Sequence, residues 1–272
     1  MAFWVTYDHA GKLLLANLVA SIAVAVPAML GVAAFMTHDM VLIVAVAAPM
    51  LALAWCVAMP VAAAGLAHMV KELIDTRDGA VRTMFDGMRL YWRRAIALGT
   101  IYGAAVLTLT TSVWFYATKL RDTAPWLGYA VSTVALWCLA FVALTALLLM
   151  PALVQKRAGI PATLKLTALL VLDNLLFVIG LALTILALGA TVLVPPVFFF
   201  CYAGLAIVIV SCAYELLARK YEAVLSGPQP GAKATHIGPV SAARDGTRPL
   251  AQDERDDYLN RGFRDFLFPW KE

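Results

Sequence analysis

The sequence predicts an all-α, polytopic membrane helical bundle of six transmembrane helices in three hairpins, with cytoplasmic interfacial helices and both termini cytoplasmic. Three observations carry the prediction. The chain has 272 residues, 62% of them hydrophobic and only 14% charged, against about 25% charged in ordinary soluble domains. Its apolar residues fall in long continuous runs, and about 20 such residues cross a bilayer as a helix. Nineteen of the 21 Lys and Arg residues lie on one side of the pattern these runs define. Short alternating segments, the mark of a membrane β-barrel, do not describe the runs.

The first span is about residues 13–36, preceded by Phe3, Trp4 and Tyr7. It is too long for the apolar core of a cleavable signal peptide and lacks a polar cleavage region after it. Thr37, His38 and Asp39 make a tight turn into the second span, about 40–70. That run exceeds what a bilayer requires, so it must tilt, kink or project, with Pro49 and Pro60 as the kink sites. The third span is about 95–117 and the fourth about 126–154. The fifth is about 174–194, and Pro195 and Pro196 separate it from the sixth, about 197–217.

Basic residues in short loops set orientation, the richer side being cytoplasmic. The loop after the second span holds Lys71, Arg77, Arg82, Arg89, Arg93 and Arg94, and the loop after the fourth holds Lys156, Arg157 and Lys165. The loop after the third holds only Lys119 and Arg121. Leaving out the long tail, the ratio is still 10 to 2. Trp114, Tyr116, Trp126 and Tyr129 bracket the Lys119 loop, where an outer aromatic belt belongs. The basic residues flank spans rather than forming a patch, so nucleic acid is not an expected partner and the lipid bilayer is.

Two cytoplasmic segments read as interfacial helices. In residues 80–94, Val81, Met84, Phe85, Met88, Tyr91 and Trp92 share one helical face, and Arg82, Asp86, Arg89 and Arg93 take the other. An amphipathic, basic helix beside a span is expected to lie in the membrane interface, although a helix for a soluble partner has the same pattern. Residues 161–172 repeat the theme more weakly, with Pro161 in the first turn and Thr163, Lys165 and Thr167 as the polar residues.

Residues 226–252 are rich in Gly, Pro, Ala and Ser without an apolar period and read as a flexible linker. Residues 253–272 differ. Acidic residues lead into Tyr258, Leu259, Phe263, Phe266, Leu267 and Trp270 at near-helical spacing, the pattern of a docking helix for a partner or for the protein's own cytoplasmic face. Its acids disfavour an anionic membrane as the docking surface.

Ionisable groups in or near a span are functional candidates. Here they are His68, Asp173 and Glu215, forming a candidate polar cluster near the cytoplasmic face. Asp173 has two placements. On a helix unbroken from Pro161 it sits about 18 Å along, near mid-membrane. If the span starts at Asn174, it caps a helix at the interface, and the 21 residues of 174–194 match a span length. Glu215 has Arg219 at i+4. Gly99 and Gly103 form a GxxxG that permits close helix approach. Tyr102 and the hydroxyls of 108–112 either line a polar path or bond to neighbouring backbone. Cys56, Cys138, Cys201 and Cys212 all lie in apolar runs, outside any CxxC or Cys/His cluster, and read as small apolar residues. Catalytic and metal residues are expected to be none, and cofactors none: the chain carries no Walker A, HExxH or nucleophile-elbow motif.

The stretch from the run with Pro60 and Gly65, through His68, Met69, Val70, Lys71, Glu72 and Leu73, to Arg77, Asp78, Gly79, Phe85, Arg89 and Trp92 is distinctive. With Arg93, Arg94, Ala95 and the later Trp114, Phe115 and Tyr116, it resembles the YesL-like family of uncharacterised bacterial membrane proteins. Pro151, Ala152 and Leu153 through Asp173, Asn174 and Leu175 resemble that family's second half. The likeness covers about residues 41–220 and is one of pattern; the leading span and the aromatic tail depart from it. It implies a bacterial cytoplasmic membrane protein with an accessory or regulatory role near solute uptake, and no catalytic residues. The expected function is therefore a non-enzymatic accessory or scaffold component of a membrane assembly. The alternative is a small transporter or channel-like protein with a polar path through the bundle.

Overall fold

The computed structural model describes residues 6–76, 79–120, 124–156, 159–190 and 201–225, with the side chains of 222–225 excepted. Every regular element among these residues is helical. Helix α1 is Ala10–Met36 and α2 runs Met40–Thr76. Helix α3 is Val81–Phe115, prolonged by a π-turn at Tyr116–Leu120, and α4 is Pro125–Lys156. Then come α5 at Ile160–Asp173, α6 at Leu175–Ala190 and α7 at Ala203–Leu225.

Four of these, α1 to α4, are long and apolar enough to cross a membrane, and α5 with α6 makes a fifth if that bent pair is one span. The outward faces agree with a lipid surround. Trp137 is 73% exposed on α4 and Leu176 is 87% exposed on α6. The buried positions include Ala16, Ala20, Ala62, Ala64, Ala67, Ala95 and Ala152 beside larger residues such as Leu66, Met69 and Leu148. Small residues at helix contacts suit association in lipid, because tails already solvate exposed Leu and Trp while backbones gain by close approach.

The most extensive helix contact is α2 against α3. The two run antiparallel, and glycines from both sides let them meet. A Cβ at Gly65 would lie 2.6 Å from Met88 Cγ and 2.8 Å from the Met84 carbonyl oxygen; one at Gly87 would lie 2.6 Å from His68 Cβ. Gly99 and Gly103, the GxxxG pair, face Pro60, Cys56 and Trp55 of α2, so that motif packs within the chain. Both kink-site prolines follow π-helical turns, Ile43–Ala47 before Pro49 and Leu53–Ala58 before Pro60. A wider turn relieves the clash of the ring with the carbonyl four residues back. At the α1–α2 turn, His38 takes φ 57 and Asp39 caps α2 by accepting from the Val41 amide at 2.9 Å.

The segment expected to lie flat as an interfacial helix, 80–94, is the first half of α3 with no break before the span. Its apolar stripe is also divided. Met84 is 0% and Tyr91 2% exposed, whereas Phe85 is 45% and Trp92 47% exposed. The reason is what stands opposite: α2, which continues to Thr76, packs Met69, Val70, Leu73 and Ile74 around Met84, and Tyr91 is enclosed by Ala64 and Ala67 of α2 with Leu149, Leu153 and Val154 of α4. Burial against a packed neighbour satisfies Met84 and Tyr91 without lipid.

The second expected segment, about 161–172, is a separate helix, α5, but its threonines point inward. Thr163 and Thr167 are fully buried and donate to the carbonyls of Gly159 (3.1 Å) and Thr163 (3.0 Å). A hydroxyl bonded to its own helix is cheap to bury, so the apolar Leu169 and Leu172 take the exposed side instead. The linker 226–252 and the aromatic segment with Tyr258, Leu259, Phe263, Phe266, Leu267 and Trp270 lie outside the described residues, as do 191–200.

The buried core lies at one end of the bundle. One cluster joins Leu13, Ala16 and Ala20 of α1 to Leu66–Ile74 residues of α2, Met84 of α3, and Val208 and Cys212 of α7. A second joins Leu148 and Ala152 of α4 to Leu170, Val171, Val178 and Leu181, and to Val210, Tyr214 and Leu217 of α7. Helix α7 is the wedge between them, showing Val208 and Cys212 to one cluster and Val210, Tyr214 and Leu217 to the other. Its start is held by α1: the buried Asn17 accepts from the Gly204 amide at 2.7 Å.

Overpacking a tight contact costs about 1–3 kcal/mol. Gly65→Val and Gly87→Val are therefore each expected to lower the thermal midpoint in detergent by that equivalent. Gly180→Ala, on a helix where no atom approaches the added carbon, is expected to be neutral or to stabilise by about 0.5–1 kcal/mol. Equal midpoints for all three would refute the close-approach account. Asn17→Leu leaves the buried Gly204 amide without its acceptor and is expected to cost about 1–3 kcal/mol by the same measurement.

Candidate functional site

Helices α2 and α4 both end, and α3 and α5 both begin, at the packed end of the bundle. Antiparallel pairing fixes this. Tyr91 hydroxyl donates to the Val154 carbonyl at 3.4 Å and Tyr102 hydroxyl to Thr145 Oγ1 at 3.0 Å, and Ser132 Oγ to the Val113 carbonyl at 3.4 Å. Charged side chains excluded from the apolar spans consequently gather at this end.

There, the last turns of α2 and α4 and the middle of α7 enclose a half-open cavity of about 230 Å³. It is lined by Lys71, Ile74, Asp75, Gln155, Lys156, Glu215 and Ala218. Lys71 and Asp75 stand four residues apart, one turn of α2. Glu215 holds Arg219 at 3.3 Å, the i+4 pair expected from the sequence, with both side chains about a quarter exposed. Partly screened pairs of this kind contribute about 0.3–0.5 kcal/mol. The cavity presents two ammonium groups, two carboxylates and an amide, a surface for small polar or zwitterionic groups. Among the described residues, no group of three or more His, Cys, Asp or Glu is placed to hold a metal ion.

A second polar knot sits at the junction of α5 and α6. These helices do not continue one another; they meet at 99°. Asp173 is the last residue of α5 and Asn174 its C-cap, so the unbroken helix that would carry Asp173 to mid-membrane is not the one that forms. Nor does Asp173 cap α6; the position before Leu175 is Asn174. Two short polar residues that compete for backbone groups end a helix readily, and neighbours from α7 fix the corner. Tyr221 hydroxyl donates to Asp173 Oδ2, Asn174 Nδ2 donates to Tyr221 Oη at 2.7 Å, and Lys220 Nζ donates to Asn174 Oδ1 at 2.8 Å. Asn174 Nδ2 also reaches the Leu170 carbonyl at 3.3 Å, satisfying one of the carbonyls that ends α5.

His68 stands apart from both. It is half-buried at the α2–α3 crossing, against Gly87, with its ring edge-on to Tyr91 at 5.8 Å. The cavity contains Glu215 but neither His68 nor Asp173. The three candidates thus share one end of the bundle and not one site. The residues that accompany them, Lys71, Asp75, Lys156, Asn174, Lys220 and Tyr221, carried only topological weight in the sequence. Their signal was the i, i+4 spacing of Lys71 with Asp75, which does not say what stands opposite.

Of the hydroxyls considered for a polar path, Tyr102 bonds across to Thr145 of α4 and two others bond to their own helix. Thr111 donates to the Leu107 carbonyl at 2.7 Å and Ser112 to Thr108 at 2.8 Å. Of the interfacial set, Val81 and Met88 are half-buried beside Met84 and Tyr91, while Phe85 and Trp92 face outward. Trp114, Trp126 and Tyr129 are exposed around the opposite end, where an aromatic belt would sit.

No family model, no curated protein and no solved structure matches this chain. The likeness to the YesL-like family therefore rests on the residue pattern alone.

Tyr221→Phe removes the hydroxyl shared by Asp173 and Asn174. The expected outcome is a loss of about 0.5–1.5 kcal/mol, read as faster amide exchange confined to the α5–α6 junction and the end of α7. Unchanged exchange there would show that the hydroxyl does not hold the corner.

Proposed function

We propose that this chain is a non-enzymatic, multi-pass accessory or scaffold component of a larger membrane assembly. In this reading it has six spans in three hairpins, with the packed, charged end and both termini in the cytoplasm. The sixth span includes α7, and the described part of α7 starts beside Asn17 of α1. The observation that carries the reading is the position of the core. Buried side chains from α1, α2, α3, α4, α5 and α7 meet at the charged end, so the chain builds a rigid, water-facing platform there instead of a polar route through its apolar middle. The aromatic segment with Tyr258, Leu259, Phe263, Phe266, Leu267 and Trp270, on its linker, then serves as a tethered docking element working from that platform. The pattern likeness to the YesL-like family supports an accessory role close to solute uptake.

One feature favours a second reading, a small transporter: the cavity bearing Lys71, Asp75, Lys156 and Glu215 could receive a polar solute at the cytoplasmic side. The two readings separate cleanly. Affinity capture of the tagged full-length protein from its native membrane, after mild solubilisation, is expected to return a stoichiometric membrane partner, and deletion of residues 253–272 is expected to abolish or weaken the association at least tenfold. Capture of the chain alone, together with pH-dependent solute flux in vesicles, would replace the scaffold by the transporter. Orientation has its own check. Cysteines at positions 82 and 173 are expected to react with an impermeant thiol reagent from the cytoplasmic side, and those at 38 and 119 from the outside.

A further inference from the structure

The outward face of the first turns of α3 is a stripe of alternating cations and aromatics. Phe85, Arg89, Trp92 and Ile96 follow at offsets of 4, 7 and 11 residues, one line along a helix, so Arg89 stands among the apolar residues it was expected to face away from. Arg82 and Arg93 lie beside that line. All but the half-buried Ile96 are exposed. The opposite face, with Met84, Gly87, Tyr91, Ala95 and Leu98, is buried against the bundle. The stripe is therefore a surface left over after packing, and none of the described residues covers it. Asp86 is the acidic residue on its flank.

Its position along α3 is fixed by charge. No charged residue occurs between Arg94 and Lys119, a length of about 36 Å at 1.5 Å per residue. The hydrocarbon layer is about 30 Å thick, so it fits inside this interval and leaves Arg93 at its edge. Arg89 and Trp92 then fall within the next turn, at headgroup depth, while Arg82 lies about 16 Å beyond Arg93, past the headgroups. Arg93 spreads over the Trp92 ring, its guanidinium carbon 5.1 Å from the ring centroid. A guanidinium held near a ring in this way still has a planar fork of N–H donors, the shape that matches phosphate oxygens.

We infer that Arg89, Trp92 and Arg93 form a binding site for the phosphate of anionic phospholipids at the charged end of the bundle. Trp92 seats in the interface, Arg93 donates to the phosphate from its place beside that ring, and Arg89 adds a second cation one turn away. Each cation near an anionic surface contributes about fivefold in binding. Charge complementarity selects the lipid, and the graded depth of the three arginines distinguishes it from a soluble acidic protein, which would use Arg82 and Phe85 as readily.

The test uses full-length protein in nanodiscs of phosphatidylcholine mixed with phosphatidylglycerol, with retained lipids counted by native mass spectrometry after release. Wild type is expected to retain phosphatidylglycerol preferentially. The R89Q/R93Q variant is expected to lose about 30-fold of that preference. Trp92→Leu is expected to lose part of it, and Arg82→Gln little. These side chains are exposed, so the variants are expected to melt with the wild type, and a melting measurement verifies that each remains folded. Equal retention of both lipids by wild type would overturn the inference. So would an Arg82→Gln loss equal to that of R89Q/R93Q, which would show that retention follows net charge and not the Arg89–Trp92–Arg93 site.

Discussion

The close approach of α2 and α3 is the contact on which the remaining structure depends. In lipid there is little hydrophobic reward for putting one helix against another, so association rests on backbone proximity and interdigitated side chains. Gly65 opens α2 to Met84 and Met88, and Gly87 opens α3 to His68. The reciprocity matters, because each glycine accommodates a side chain from the other helix and the pair cannot slide without a clash. Once α3 is seated, Tyr91 reaches the Val154 carbonyl and Tyr102 reaches Thr145, which docks α4. The clefts on either side of this three-helix unit are then filled by α7.

Polar groups are disposed by a second constraint, that unpaired donors and acceptors are costly away from water. Hydroxyls inside the helices donate to carbonyls one turn back, as Thr111, Ser112, Thr163 and Thr167 do. Asn17 accepts the Gly204 amide where α7 meets α1. Charges leave the apolar intervals, and Lys71, Asp75, Lys156 and Glu215 collect where α2, α4 and α7 converge. The corner at Asn174 has the same origin: a helix carrying Asp173 cannot continue straight into lipid, and the carbonyls freed by the turn find Asn174 and the Tyr221 knot. The charged end is thus both the packed end and the polar end, which is why cavity, knot and lipid-facing stripe all occur there.

Much of this was legible in the residues. The runs of Leu, Val and Ala gave the long helices, the Thr37–Asp39 turn and the prolines gave their punctuation, and Glu215 with Arg219 gave an ion pair. Gly99 and Gly103 were read as packing glycines and pack on α2. The period of 80–94 predicts one apolar face for lipid or a soluble partner, and the structure has two, because periodicity reports that Met84, Phe85, Tyr91 and Trp92 are apolar without reporting that α2 and α4 cover only Met84 and Tyr91. The threonines of α5 were read as a polar side, because composition does not show a hydroxyl bonded to its own helix. The positions of His68, Asp173 and Glu215 at run boundaries predict a shared cluster, and the structure gives the three different neighbours. Their separate surroundings depend on which helices lie opposite.

The sequence by itself determined that the described residues are helical, that several helices are long and apolar enough to cross a membrane, and that charge is concentrated at particular run boundaries. These follow from local quantities: the length of a run, its period, and the cost of a charge in hydrocarbon. Tertiary structure alone decided that 80–94 stands as part of α3, that Asp173 bends away at a corner held by Tyr221, and that Lys71, Asp75, Lys156 and Glu215 share a cavity. Those outcomes depend on glycines in one helix receiving side chains from another, and on hydrogen bonds between residues more than 40 positions apart. Such pairings have no trace in the period of any single helix.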